Sequence, residues 1–139
     1  MNFKKLIEVR IEDLSFGIDI DKPSWYIYVE KKKDYCDLSN EECLIAAVKV
    51  LELEPKRFYD SIFSLFSEDS SRIAQSFPIK QLISFCINNQ MDYWLRVGIR
   101  WLSYIEIGDD LRSLLTFVVN SKGYPQDIRH GLLRFLHKK

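Results

Sequence analysis

The chain has 139 residues, 47% of them apolar and 14% aromatic, with twenty basic and twenty acidic side chains and no net charge. A chain of that length suits one domain, 1–139, that buries roughly two thirds of its unfolded surface, and this composition excludes a disordered polymer. Zero net charge removes any general attraction to nucleic acid or an anionic membrane, and no stretch approaches the roughly 18 apolar residues of a membrane span.

From Phe3 to Leu14 two periodicities compete. Phe3, Ile7, Ile11 and Leu14 follow helical spacing, while Ile7, Val9 and Ile11 alternate like a strand; length and Lys/Glu content favour a helix. Phe16, Ile18 and Ile20 alternate with Gly17, Asp19 and Asp21, and Lys22-Pro23-Ser24 is a turn. Trp25 to Val29 is rich in strand formers, so the N-terminal part holds at most a short strand pair. The polar run Glu30 to Asp37 reads as a loop.

Beyond it the helical signals sharpen. Ser39-x-x-Glu42 has the form of a capping box, followed by Leu44, Ala47, Val48 and Leu51 on one helical face. Pro55 opens a helix carrying Phe58, Tyr59, Ile62, Phe63 and Phe66, and Ser67 to Ser71 breaks it. Pro78 opens another with Leu82, Ile83, Phe85 and Cys86. Asp92 to Ile105 is expected as the longest helix, with Gly108 as its C-cap, and Asp109 or Asp110 caps the next, which holds Leu111, Leu114, Leu115 and Val118. Pro125 starts the last, with Ile128, Leu132, Phe135 and Leu136 inward. Short turns between helices favour antiparallel neighbours. The expected fold is therefore mainly α, stacked antiparallel helical hairpins of HEAT-like form or a helical bundle.

Chemistry-bearing motifs are sparse. His130 and His137 lie seven apart with no carboxylate or cysteine at ligand spacing, so no metal is expected. Asp19 and Asp21 lack an EF-hand loop or a phosphate cradle, which leaves a solvated turn. Cys36, Cys43 and Cys86 form no CxxC pair and are odd in number, as suits free thiols in a reducing cytoplasm; Cys86 sits on an apolar face as a core residue. The start MNFKKLIEVRIEDL has no apolar core for a signal peptide, which also points to a cytoplasmic protein. No cofactor is implied, and no acid, base and nucleophile stand out as a set, so an enzyme is disfavoured.

Charge is the more informative signal. Residues 1–70 carry ten Lys/Arg against fifteen Asp/Glu, and residues 71–139 carry ten against five, balances of −5 and +5. Asp34, Asp37, Glu41 and Glu42 form the densest acidic cluster, beside Tyr35, with Glu68 and Asp69 as a second set. Acids in a first helical turn also simply favour the helix dipole. As a site, the two sets would dock a basic partner. In "DYWLRVGIRWL", Arg96 and Arg100 lie one turn apart on a helix that is otherwise apolar almost all round. Pairing of Asp92 with Arg96 and stems lying over aromatic rings explain them as scaffold.

The C-terminal stretch "DYWLRVGIRWLSYIEIGDDLRSLLTFVVNSKGYPQDIRHGLLRFL" resembles the end of small HEAT-like immunity proteins of bacterial polymorphic-toxin and contact-dependent inhibition systems. The points of similarity are Tyr93-Trp94, Trp101-Leu102, the short loop, and "PQDIRHGLLRFL" with Gln126 and Arg129-His130. The resemblance implies a cytoplasmic protein that binds and neutralises a cognate toxin domain, often a nuclease, and it carries over no catalytic residue. The rival expectation is a nucleic-acid-binding protein using Arg96, Arg100, Arg112, Arg129 and Arg134, against which stand the neutral composition and the absence of a basic run. The toxin's identity and the oligomeric state are not encoded in any motif.

Overall fold

The computed structural model describes residues 3–11, 14–22 and 24–137. A small antiparallel sheet comes first and the rest is mainly helical, and the chain packs as two compact units, Met1–Pro78 and Ile79–Lys139.

In the first unit, β1 (Phe3–Ile11), β2 (Leu14–Asp19), β3 (Ser24–Val29) and β4 (Asp34–Asp37) form a meander in that spatial order. This corrects two expectations. Of the Phe3–Leu14 segment, Phe3–Ile11 is strand β1 and Leu14 opens β2, not a helix, while Glu12 and Asp13 lie outside the described residues. The sheet has four strands rather than a pair, and β4 lies inside the stretch expected as a loop. Both corrections have one cause: pairing with a neighbouring strand outweighs weak local preference. Ile7, Val9 and Ile11 already alternate, and β2 supplies a partner for β1, with an irregular register between Lys5 and Arg10. The short β4 is delivered by a hairpin turn in which Lys32 and Lys33 N–H donate to Val29 and Glu30 carbonyls at 3.1 and 3.3 Å, with Lys33 left-handed at φ 50°.

All six residues of β2 are buried, so the sheet is covered on both sides there. Leu14, Phe16, Ile18, Trp25 and Ile27 lie on the face that meets the helices. The other face carries Ser15, Gly17 and Asp19, paired with Tyr28, Tyr26 and Ser24. The Asp19 carboxylate accepts the Asp21 N–H at 3.1 Å inside the turn, which places it as a buried structural group.

Three helices complete the unit: α1 (Glu41–Ala47), running on into a 3-10 segment (Val48–Glu52), α2 (Pro55–Leu65) and α3 (Ser70–Ser76). Pro55 sits in the first turn of α2, where its missing N–H has no cost. Trp25 joins sheet to helices. Its ring meets Phe77 edge-on at 4.8 Å and Phe58 at 6.0 Å, Phe58 and Phe77 lie 4.5 Å apart, and its Nε1–H donates to Ser76 Oγ at 2.8 Å. Ser76 Oγ in turn donates to the Ile73 carbonyl at 2.6 Å. Burial beside this cluster pushes the Tyr59 phenol up to about 12.

The second unit holds α4 (Ile79–Asn88), α5 (Asp92–Gly98), a 3-10 segment (Ile99–Tyr104), α6 (Asp109–Val119) and α7 (Gln126–His137). Of the expected inner stripes, Leu82, Ile83 and Cys86, then Leu111, Leu115 and Val118, then Ile128 and Leu132 are buried, while Phe85, Leu114, Phe135 and Leu136 are half-buried. Asp92–Ile105 is not one helix, and α7 is the longest. The α-helix stops at Gly98, where an interior glycine costs about 1 kcal/mol against alanine, and the chain tightens. At three residues per turn, Gly98 and Trp101 share a face, and Gly98, Trp101 and Leu102 are all buried. Gly108 is the N-cap of α6, not a C-cap, so neither Asp109 nor Asp110 holds the cap position.

The pairing of Arg96 is also corrected. Its guanidinium reaches Asp127 of α7 at 2.6 Å, and Asp92 adds only a longer-range attraction. Nearby, a Cβ on Gly131 would stand 3.3 Å from Ile99 Cδ1, so α7 packs tightly on the 3-10 segment at that glycine. Tyr124 ties the α6–α7 turn to α4, its hydroxyl donating to the Ile87 carbonyl at 2.9 Å.

Trp101 is fully buried, whereas Trp94 is only half-buried and Arg100 is exposed. Trp101→Ala is expected to cost about 3–5 kcal/mol, and Arg100→Ala about 0–1 kcal/mol. Denaturant melts of both variants check this; equal, mild effects would refute the buried 3-10 segment as the anchor of the second unit.

Candidate functional site

The predicted acidic residues fall on three pieces of the first unit. Asp34, Tyr35 and Asp37 are on β4, Glu41 and Glu42 are in the first turn of α1, and Glu68 and Asp69 are on the turn before α3. The first two pieces are joined covalently. Cys36 and Cys43 form a disulfide across seven residues with Cα atoms 5.9 Å apart. This overturns the expectation of free thiols at those positions. The pair has no CxxC spacing, and a strand, a turn and a helix bring the two side chains together. A signal was present in "DLSN" between them, which is composed for a tight turn.

Asp37 organises that turn. Its Oδ1 accepts the Ser39 N–H at 2.9 Å, and its carbonyl accepts the Asn40 N–H at 3.0 Å. Helix α1 therefore starts one residue later than a Ser39 capping box requires. Asn40 is its N-cap, with no side-chain hydrogen bond, and the capping-box expectation is corrected. Glu41 and Glu42 are exposed at the helix start, where the macrodipole favours them, and among the described residues neither is in a salt bridge. The bridge thus holds Asp37, Glu41 and Glu42 in one short closed loop, with Asp34 just outside it. Glu68 and Asp69 stand on a different turn, and Asp69 is already engaged by Arg72 at 3.3 Å.

β4 is an edge strand. Leu38 N–H donates to the Trp25 carbonyl at 3.0 Å, so by ladder alternation Cys36 and Asp34 direct backbone groups at β3 while Tyr35 and Asp37 direct theirs outward. The outward Tyr35 N–H is taken by Asp34 Oδ1 at 2.8 Å. The side chain of Cys36 shares the helix-facing side with Ile27, which is how it reaches α1.

Tyr35 and Asp37 share the opposite face with Tyr28 and Tyr26. The Tyr28 and Tyr35 rings lie 5.0 Å apart, and Tyr26 meets Tyr35 edge-on at 6.4 Å. Tyr35 is 44% exposed, Tyr28 half-buried and Tyr26 buried. Tyr26 and Tyr28 were read only as strand formers; their alternation in "WYIYV" placed them on a common face.

The second unit offers two other features. An open groove of about 510 Å³ runs between α4 and α6, lined by Lys80, Ser84, Asn88, Asp110, Leu114 and a 60% exposed Phe117. The arginines of the rival reading are largely committed to the scaffold: Arg96 to Asp127, Arg100 Nε–H to the Val97 carbonyl at 3.2 Å, and Arg129 Nε–H to the Val119 carbonyl at 3.2 Å. Arg112 and Arg134 lie on α6 and α7. The remaining cysteine, Cys86, is fully buried as expected, and burial pushes its thiol up to about 12, where it is a protonated core group and not a nucleophile. No family model, curated protein or solved structure matches the chain.

Two measurable consequences arise. Closing so short a loop stabilises by about 2–3 kcal/mol through the unfolded state. The Cys36→Ser/Cys43→Ser variant should lose that amount in a denaturant melt, and added reductant should lower the stability of the parent but not of the variant.

The Arg96 guanidinium, hydrogen-bonded to Asp127, holds that carboxyl below the ordinary carboxylate range. A depressed folded value means a contribution present above the unfolded value and lost as pH falls through the folded one. A carboxyl NMR titration should find Asp127 titrating low in the parent and moving up towards the ordinary range in Arg96→Ala.

Proposed function

We propose that the chain is a binding protein, not an enzyme, that docks a basic protein partner on the surface made by β4, the Asp37–Glu42 turn and the start of α1. The observation that carries this is the disulfide-closed loop, which holds Asp37, Glu41 and Glu42 together beside Tyr35 before any partner arrives. Preorganised carboxylates lose little freedom on binding, and Tyr35 adds a rigid aromatic contact.

The partner class follows from the chemistry and from the resemblance to immunity proteins. Nuclease toxin domains act on polyanions and have basic clefts, and an inhibitor competes by presenting carboxylates where phosphates would lie. The succession of α4 to α7, joined by short turns, is what a HEAT-like stack would use, and it supports the same resemblance. Glu68 and Asp69 form an outlying acidic set. The nucleic-acid reading gains less support, since three of its five arginines already hold protein groups.

The preorganisation depends on the Cys36–Cys43 bridge, which a reducing setting would open, so under this proposal the complex is tightest when formed by the oxidised protein.

The test is complex formation with a basic toxin domain encoded beside this protein. Association should slow as salt rises past about 0.15 M, where the Debye length is about 8 Å. Glu41→Lys/Glu42→Lys should weaken the complex at least tenfold while leaving the circular dichroism spectrum unchanged. An unchanged affinity in that folded variant removes this surface as the docking site, and failure to protect cells from the neighbouring toxin removes the immunity reading.

A further inference from the structure

We propose that the tyrosine face of the sheet, at its β4 edge, is a seat for an arginine side chain of the partner, with Tyr35 as the stacking surface and Asp37 as the counter-charge. The proposal rests on the acidic docking surface above and names the group that surface selects. The β3–β4 register puts Tyr26, Tyr28, Tyr35 and Asp37 on one side of the sheet, away from the helices. Tyr35 is braced by Tyr28 from across the ladder and by the edge contact with Tyr26, yet nearly half of it faces solvent. An exposed ring that its neighbours already hold gives up little freedom when it is covered.

The chemistry selects a cation. Tyr35 and Asp37 are two residues apart on one strand, about 7 Å along the same face. A guanidinium stacked on the ring at van der Waals distance spans that gap and donates to the carboxylate; its planar fork suits both contacts, which a compact ammonium does less well. The face is also polarised: exposed Lys5 stands at the β1 side in the row of Gly17, Tyr26 and Asp37, which leaves the β4 side as the end that attracts a cation.

The probe is a nona-arginine peptide, bound to the full oxidised chain at low salt. Tyr35→Leu, of similar bulk without the ring, should weaken binding about two- to fivefold, and Tyr35→Phe should leave it nearly unchanged. Asp37→Asn keeps an acceptor for the Ser39 N–H and should weaken binding by a similar factor. A citrulline peptide of equal length, neutral but alike in shape, should not bind. A nonalysine peptide should bind more weakly and be less sensitive to Tyr35→Leu. In the parent protein, the Tyr28 and Tyr35 ring signals should move as the arginine peptide saturates.

Equal affinity of Tyr35→Leu and the parent, or unmoved ring signals at saturation, overturns the seat. If Glu41→Lys/Glu42→Lys abolishes binding while Tyr35→Leu does not affect it, the acidic surface stands and the seat falls. If the reverse holds, the seat stands and the wider surface falls. Absence of any nona-arginine binding overturns both.

Discussion

The indole of Trp25 is too large to leave in water at the centre of a four-stranded sheet, and once it is buried its N–H must find an acceptor. Ser76 supplies that acceptor from the end of α3, fifty-one residues away, and Phe58 and Phe77 pack against the ring. This one requirement fixes where α2 and α3 lie on the sheet. It also explains why the helix-facing residues of β2 and β3 are apolar while the other face can carry tyrosines and carboxylates. The proposed docking surface depends on that arrangement indirectly: β4 pairs with β3, which carries Trp25, and the Cys36–Cys43 bridge ties β4 to α1.

Electrostatics divides along the same line as the packing. The charges that could recognise a basic partner are on exposed, short elements of the first unit, held by local backbone bonds and one covalent link. In the second unit three of the arginines serve the scaffold: Arg96 with Asp127, Arg100 with the Val97 carbonyl and Arg129 with the Val119 carbonyl. Those three have less to give a ligand, because their donors are already satisfied by the protein.

The helical part was legible in the residues because its signals are local. Pro55 at a helix start, the Leu111-Leu115-Val118 stripe and the Ile128-Leu132 stripe need only 3.6-residue periodicity to be seen. The N-terminal sheet was not, because Phe3–Ile11 satisfies two periods and only a partner strand decides between them. The same holds for Cys36 and Cys43, whose meeting is a tertiary event, and for Arg96, whose sequence neighbour Asp92 lost to Asp127 on another helix. The 3-10 tightening after Gly98 was hidden for a different reason: its apolar residues fit either helical period. Of the candidate site, the acidic residues were visible as a cluster, but the ring contacts that frame Tyr35 needed the register of β3 against β4.

The carboxylate that closes the open edge of the sheet has a consequence for how this protein behaves in a crowded solution. Bare strand edges are templates on which other chains can add, and the Asp34 carboxylate takes the outward Tyr35 N–H that such growth would use. It also places a negative charge where a second copy of the same acidic edge would have to approach. Asp34 would thus serve the proposed docking of a basic partner and at the same time stand as a barrier towards its own kind. Any change that trades its charge for tighter packing against a particular partner exposes a tyrosine-rich edge to self-assembly, so drift at this position is constrained from two sides.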